Sequence, residues 1–131
     1  MSLKSLRLGL LPSDPKILGF DTSGPHCAVA LLERDFKIES VFEPMRKGQV
    51  ENLFPILETL LKRKSVLWNE LNAIAVGIGP GNFTGIRLSV SAARGLALSL
   101  GIPVIAISNF EILRPIGQKK NEDKQTKILS L

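Results

Sequence analysis

The chain has 131 residues, 44% of them hydrophobic, and a formal net charge of +5. This length allows one domain with a proper core and is too short for two. With one cysteine, Cys27, and one histidine, His26, the chain cannot supply a zinc site or a histidine-dependent triad, so we expect no metal, no cofactor and no catalytic residue. No apolar run reaches membrane-spanning length, and we expect a cytoplasmic protein.

The positive charge is concentrated in two lysine-rich groups. One surrounds Lys62–Lys64 and the other runs from Lys119 to Lys127, and no aromatic residue interleaves with either. This pattern favours a solvated helix end and a soluble tail. Direct binding of a nucleic acid is the alternative, and it depends on charge alone.

The first half of the chain contains three short strand patterns. They cover residues 16–21, 27–33 and 36–43 and are joined by short links, which predicts an antiparallel meander. Residues 1–15 precede them as a basic, then apolar stretch ending in Pro-Ser-Asp-Pro, which we interpret as a disordered extension.

The spacing of the apolar residues then changes to that of a helix. Apolar residues from Val50 to Leu61 recur at helical spacing, and Pro55 is expected near the first turn or at a kink. A fully apolar fourth strand is predicted over residues 71–77.

A second helix and a fifth strand complete the pattern. The helix is predicted over residues 85–100, capped by Thr84 or Asn82 and ended by Gly101, and the strand over residues 103–108. The predicted order is β-β-β-α-β-α-β, with both helices on one face of a five-stranded mixed sheet. The domain is predicted to cover residues 16–114, followed by a charged, disordered tail over residues 115–131.

The loop before the second helix is rich in glycine, and such loops often hold phosphate. No lysine or arginine stands inside it, and the nearest is Arg87. We therefore favour a loop that turns the chain over one that binds phosphate.

Two stretches resemble the TsaB (YeaZ) family. They are "ILGFDTSGPHCAVALL" from Ile17 and "AIAVGIGPGNFTGIRLSVSAARGLALSLGIPVIAIS" from Ala73, and the second reproduces the Gly-Pro-Gly-Ser-Phe-Thr-Gly-Leu-Arg hallmark from Gly79 to Arg87 with mild substitutions. The resemblance implies one half of an actin/Hsp70-like, ribonuclease H-like fold. Family members usually carry a second, similar half, which we do not expect in residues 115–131, and the His-Ser/Thr pair of many relatives falls here at Gln49-Val50.

The resemblance also implies a function. Family members are companion subunits of TsaD in bacterial synthesis of threonylcarbamoyladenosine, the modification beside the tRNA anticodon. The implied role is a non-catalytic scaffold that binds a TsaD-type subunit and meets tRNA only indirectly. A TsaE-type ATPase and a second copy of the chain, in a homodimer through the same helices, are the further partners that the resemblance allows. The alternative is an enzyme of the same fold: a nucleotide-binding ATPase or phosphotransferase, or a glycoprotease-like peptidase. The remnant of a phosphate site would consist of Asp21, Thr22, Gly81, Thr84 and Gly85.

Both helices are apolar over a wider arc than one sheet needs to cover. The arc spans about 200° on the second helix and about 160° on the first. Part of the excess is predicted to face a partner helix, as the family resemblance also implies. The predicted interface residues are Leu53, Leu57, Leu60, Ser89, Ala92, Ala93 and Leu96.

Overall fold

A mixed sheet with strand order β3-β2-β1-β4-β5-β6 organises the chain. The computed structural model describes residues 12–33, 35, 37–107 and 127–129. The strands are β1 (Ile17–Asp21), β2 (His26–Leu32), β3 (Ile38–Pro44), β4 (Ala73–Gly77), β5 (Val104–Ile107) and β6 (Lys127–Leu129). The helices are α1 (Gln49–Arg63) and α2 (Phe83–Leu100), with a 3-10 turn at Trp68–Glu70.

The pairing of the strands confirms the predicted topology. β1, β2 and β3 pair antiparallel, whereas β1, β4 and β5 pair parallel. The two parallel pairs require crossovers, and α1 and α2 supply them. β1 therefore lies at the centre, paired on both edges.

β6 was not foreseen from the sequence. It pairs antiparallel with β5, so the sheet gains a sixth strand inside the region predicted as a disordered tail. The sequence there is rich in charge and gives no alternating pattern long enough to indicate a strand. The remaining positions of both predicted disordered segments, apart from residues 12–15, lie outside the described residues.

Both helices pack on the same face of the sheet, as predicted. On this face lie Leu18 and Phe20 of β1 together with their register partners on β2 and β4. The helices complete the same buried cluster with Leu53, Leu57, Leu60 and Leu61 from α1 and Ala93 and Ala97 from α2. α1 lies over β2 and α2 over β4.

The helix ends follow local chemistry. The Asn82 side chain accepts a hydrogen bond from the Gly85 amide at 2.9 Å, and so Asn82, one of the two predicted candidates, is the cap of α2. Gly101 ends α2 with φ of 70°, in the left-handed region that favours glycine. Pro55 lies inside α1, beyond its first turn.

Candidate functional site

The glycine loop between β4 and α2 packs against the turn that follows β1. The Asn82 amide donates a hydrogen bond to the Ser23 carbonyl oxygen. A Cβ atom added to Gly81 would lie 2.6 Å from that same oxygen, which leaves no room for a side chain. The loop is thus fastened to the β1 turn by its own backbone.

A buried hydroxyl pair joins the same turn to α2. The Thr22 amide donates to Ser89 Oγ at 2.9 Å, and Thr22 Oγ1 donates to the Gly85 carbonyl oxygen at 2.5 Å. Thr22 and Ser89 are both fully buried. Ser89 was predicted to face a partner, but its hydroxyl is used inside the domain.

Asp21 closes β1 with one satisfied and one unsatisfied oxygen. Its Oδ1 accepts a hydrogen bond from the Ser23 amide at 2.7 Å. Its Oδ2 is buried and has no hydrogen-bond partner among the residues that the structure describes. The carboxyl group lies against Gly77, where an added Cβ would be 2.6 Å from Asp21 Cγ. An unpartnered buried oxygen is costly and suits a donor or a cation, and His26 Nε2 is likewise buried without a hydrogen-bond partner among the described residues.

Gln49, at the position where the family resemblance implies a histidine, clamps the β1 turn from the other side. Its side-chain amide donates to the carbonyl oxygens of Gly24 and His26, at 2.7 Å each, and to that of Thr22 at 3.2 Å. The family resemblance marked this position, but nothing in the residue pattern indicated that the side-chain amide would contact three carbonyl oxygens.

The remaining titratable groups near the site are structural in character. Burial raises the pKa of the Cys27 thiol, and the nearby Glu43 carboxyl adds to the effect. A raised pKa keeps the thiol protonated and a poor nucleophile. Among the described residues, no group of three or more histidine, cysteine or acidic side chains is placed to hold a metal ion. Neither described helix has the length and apolar character that crossing a membrane requires.

The predicted phosphate-site residues therefore come together only in part. Asp21, Thr22, Gly81 and Gly85 meet at the contact between the β1 turn and the loop. Thr84 lies apart, on the exposed side of α2. The amides of Asn82 and Gly85 already have acceptors, so two of the donors that would receive a phosphate are engaged.

Five of the predicted interface residues are buried within this domain, so this part of the interface prediction is wrong. They are Leu53, Leu57, Leu60, Ser89 and Ala93, each with no exposed surface. The breadth of the apolar arc does not say which part of the arc meets the sheet. Ala92 and Leu96 remain half-buried at its margin.

The exposed apolar residues of the helices lie elsewhere on the arc. On α1, Val50 and Phe54 are one turn apart and are 67% and 41% exposed. On α2, half-buried Leu88, Ala92 and Leu96 follow each other at one-turn spacing. We call these five residues the apolar groove.

Helical periodicity directs the two sides of the apolar groove toward each other. Arg63 of α1 forms an ion pair with Glu39 of β3 at 3.3 Å, so this flank of α1 faces β3. Phe54 precedes Arg63 by nine residues, which at 100° per residue places it about 180° around the helix, on the flank toward β1. On α2, Gly85 contacts Thr22 at the end of β1, and Ala92 lies on that same flank two turns later. Because β1 lies between β2 and β4, both flanks border the space between α1 and α2.

Comparison with known proteins identifies relatives of this domain. Residues 43–127 match the family model of TsaD, tRNA N6-adenosine threonylcarbamoyltransferase. The tRNA threonylcarbamoyladenosine biosynthesis protein TsaB of Buchnera aphidicola from Schizaphis graminum is 38% identical over 83% of this chain and 51% of its own length. TsaB of Escherichia coli is 32% identical, over 81% of this chain and 46% of its own length. The chain thus spans about half the length of the curated relatives it matches.

Solved structures agree with the sequence matches. YeaZ from Pseudomonas aeruginosa superposes with a TM-score of 0.68 and 37% identity, over 72% of this chain and 44% of that one. A second structure, described as similar to peptidase YeaZ from Pseudomonas aeruginosa, gives a TM-score of 0.71 at 30% identity, over 88% of this chain and 60% of that one. The fold class is accordingly the actin-like α/β fold expected from the sequence. The TsaB relatives and the YeaZ structure, which the chain matches over about half of their length, show that the chain belongs to the TsaB (YeaZ) family.

Proposed function

We propose that this protein is a non-catalytic subunit in the synthesis of threonylcarbamoyladenosine on tRNA, and that it binds a TsaD-type catalytic subunit through the apolar groove. The observation that carries the proposal is the exposure of Val50 and Phe54 beside the apolar flank of α2. Exposed apolar surface at helical spacing suits an amphipathic helix from a partner. The names of the relatives indicate the pathway, which is the synthesis of threonylcarbamoyladenosine on tRNA.

The absence of chemistry in the subunit is supported by the closed contact at the β1 turn. The Thr22 hydroxyl is hydrogen-bonded to the Gly85 carbonyl oxygen, and the Asn82 amide already donates to the Ser23 carbonyl oxygen. The nearest cation, Arg87, lies over the ring of Phe83 at 4.1 Å from its centroid and does not enter the loop. Nucleotide phosphates need free amides and positive charge at such a loop.

One observation favours the enzyme alternative, a nucleotide-binding ATPase. Asp21 Oδ2 is buried without a hydrogen-bond donor, at the edge of the sheet where phosphate and metal sites of α/β folds lie. The ATPase alternative requires turnover that depends on this carboxyl. Purified protein is expected neither to hydrolyse ATP nor to cleave glycoproteins, and ATP turnover abolished by Asp21→Asn alone would establish the enzyme.

The direct test of the proposed function is co-purification with the TsaD-type protein of the same organism, followed by sizing. A one-to-one complex supports the proposal. The same sizing of the protein alone tests the homodimer, which would use the same apolar groove, and addition of a TsaE-type ATPase tests a larger assembly. In this scheme the protein works in the cytoplasm beside its partner. Failure to bind a TsaD-type subunit at micromolar concentrations would overturn the proposed function.

A further inference from the structure

The other flank of α2 carries a second exposed stripe, which we call the arginine flank. It consists of Phe83, Arg87, Arg94 and Leu98, which fall within an arc of about 60° at 100° per residue. All four side chains are exposed, Phe83 by 63% and Leu98 by 70%. Ala92 of the apolar groove lies on the opposite flank, so a molecule bound to one flank leaves the other free.

The charge of this flank has one sign only. No aspartate or glutamate occurs between Leu71 and Phe110, and Arg87 and Arg94 are the only charged residues of α2. Within the part of the chain that the structure describes, neither arginine makes an ion pair. Two uncompensated guanidinium groups, about 10 Å apart along the helix, favour an anionic ligand.

Arg87 already lies over an aromatic ring. Its guanidinium carbon lies 4.1 Å from the centroid of the Phe83 ring. The ring fixes the orientation of the guanidinium group and reduces the conformational entropy that binding would cost. A fixed guanidinium plane can hydrogen-bond to a phosphate through its edge and stack against a nucleobase through its face.

We propose that the arginine flank binds an unpaired loop of RNA, with Arg87 and Arg94 on backbone phosphates and one base stacked on the Phe83–Arg87 pair. An acidic protein surface would satisfy the two charges but would leave the exposed Phe83–Arg87 stack unused, whereas single-stranded RNA uses both. That the RNA is a tRNA rests on the proposed function. The proposal departs from the expectation that tRNA is met only indirectly.

The test measures binding of the full chain to a fluorescein-labelled tRNA transcript by anisotropy at several KCl concentrations. Arg87→Gln combined with Arg94→Gln is expected to weaken binding about tenfold or more and to reduce the salt slope by about 1.4. Arg87→Lys with Arg94→Lys is expected to retain the slope and to bind with intermediate affinity. Phe83→Ala is expected to weaken binding about tenfold without changing the slope.

The control removes the same number of charges elsewhere. Lys47→Gln combined with Lys62→Gln changes two exposed lysines away from this flank and is expected to alter the affinity less than about twofold. Equal effects of the two double variants, or no tRNA binding by the unmodified protein at low salt, would overturn the proposal. A fully base-paired RNA duplex of similar length, with no unpaired loop, should bind more weakly, and equal binding would contradict the loop as the ligand.

The same variants separate this proposal from the proposed function. Complex formation with the TsaD-type subunit is measured by sizing in the absence of RNA and should be unchanged by the arginine substitutions. If these substitutions abolish that complex while tRNA binding persists, the flank is a protein contact and the RNA proposal is wrong. If no complex forms with any variant but tRNA binding depends on the arginines, the proposed function fails and the RNA site stands.

Discussion

Gly85 and Thr22 approach so closely that a Cβ atom on Gly85 would overlap the Thr22 carbonyl oxygen. Both belong to the motif that suggested a phosphate site, yet their contact is between the backbone of α2 and the turn after β1. The glycine is therefore needed for the approach of two backbones. This contact gives the first prediction.

Gly85→Ala should destabilise the protein by about 3 kcal/mol or more, because the backbone of Thr22 must move to admit the methyl group. The expected fall in Tm is about 10 °C or more in phosphate-free buffer. Gly95→Ala is the matched control in the same helix. Its new Cβ meets nothing within 4 Å, so it should stabilise by about 0.5–1 kcal/mol. Similar melting of both variants would contradict the packing role of Gly85.

Asp21 should be replaceable by asparagine. The asparagine oxygen can still accept from the Ser23 amide, and the buried site then holds a neutral side chain. We expect Asp21→Asn to melt at or above the temperature of the unmodified protein. Asp21→Ala leaves the Ser23 amide without its acceptor and should cost about 1–3 kcal/mol. A large loss with Asp21→Asn would indicate a bound donor or cation at Oδ2.

Gln49 should be essential for the order of the turn it clamps. Gln49→Met keeps the length of the side chain but removes the donor to the carbonyl groups of Gly24 and His26, at an expected cost of about 1–3 kcal/mol. Gln49→Glu should cost more, because carboxylate oxygens would face carbonyl oxygens. Thermal melting and limited proteolysis of residues 22–26 give the readouts. A stable Gln49→Glu variant would rule out the clamp.

Ala92 and Ala93 are adjacent residues with opposite expected behaviour. Ala92→Glu, at the margin of the apolar groove, should give a folded protein that no longer associates, because an unpaired charge would be buried in the interface. Ala93→Glu places the same charge in the core, where Ala93 has no exposed surface, and should unfold the monomer. Circular dichroism and sizing with the TsaD-type subunit distinguish the two. An Ala92→Glu variant that binds normally would remove this flank from the interface.

Glu70 gives a prediction about pH. Its hydrogen bond from the Leu67 amide, followed by that from Lys16, lowers the pKa of the carboxyl from its ordinary 4.5. The folded state therefore binds this proton less tightly than the unfolded chain does, and the stabilisation is present above pH 4.5 and is lost as pH falls below it. The Tm difference between the unmodified protein and Glu70→Gln should shrink on acidification through this range. Because the group is exposed, we expect a small, salt-sensitive effect.

The fold apart from β6 could be predicted from the sequence, because each of the other strands and both helices carries its own local signal. Alternation and turn residues marked the strands, and Asn82 and Gly101 marked the ends of α2. Which face of a helix meets the sheet is not indicated by such local signals. Ser89 and Ala93 look like neighbours of Ala92 on a wheel, but only the position of β1 decides which of them is buried.

The site could be predicted as a set of positions and not as a set of contacts. The motif placed Asp21, Thr22 and Gly85 together, as they are found. It gave no indication that Ser89 would bond to Thr22, because a serine inside a helix has many possible partners. The exposure of Val50 and Phe54 was equally invisible, since their apolar character by itself indicated burial.

The bonds from Thr22 to Gly85 and Ser89 cross 63 and 67 residues of chain. During synthesis, the amide and hydroxyl of Thr22 therefore cannot form these hydrogen bonds until the second helix has been made. Contacts of such long sequence separation form late and slow the folding reaction. Once made, they tie the beginning of the domain to its far end, and the amides of Thr22 and Ile86 should then exchange with deuterium at one common rate, set by global unfolding.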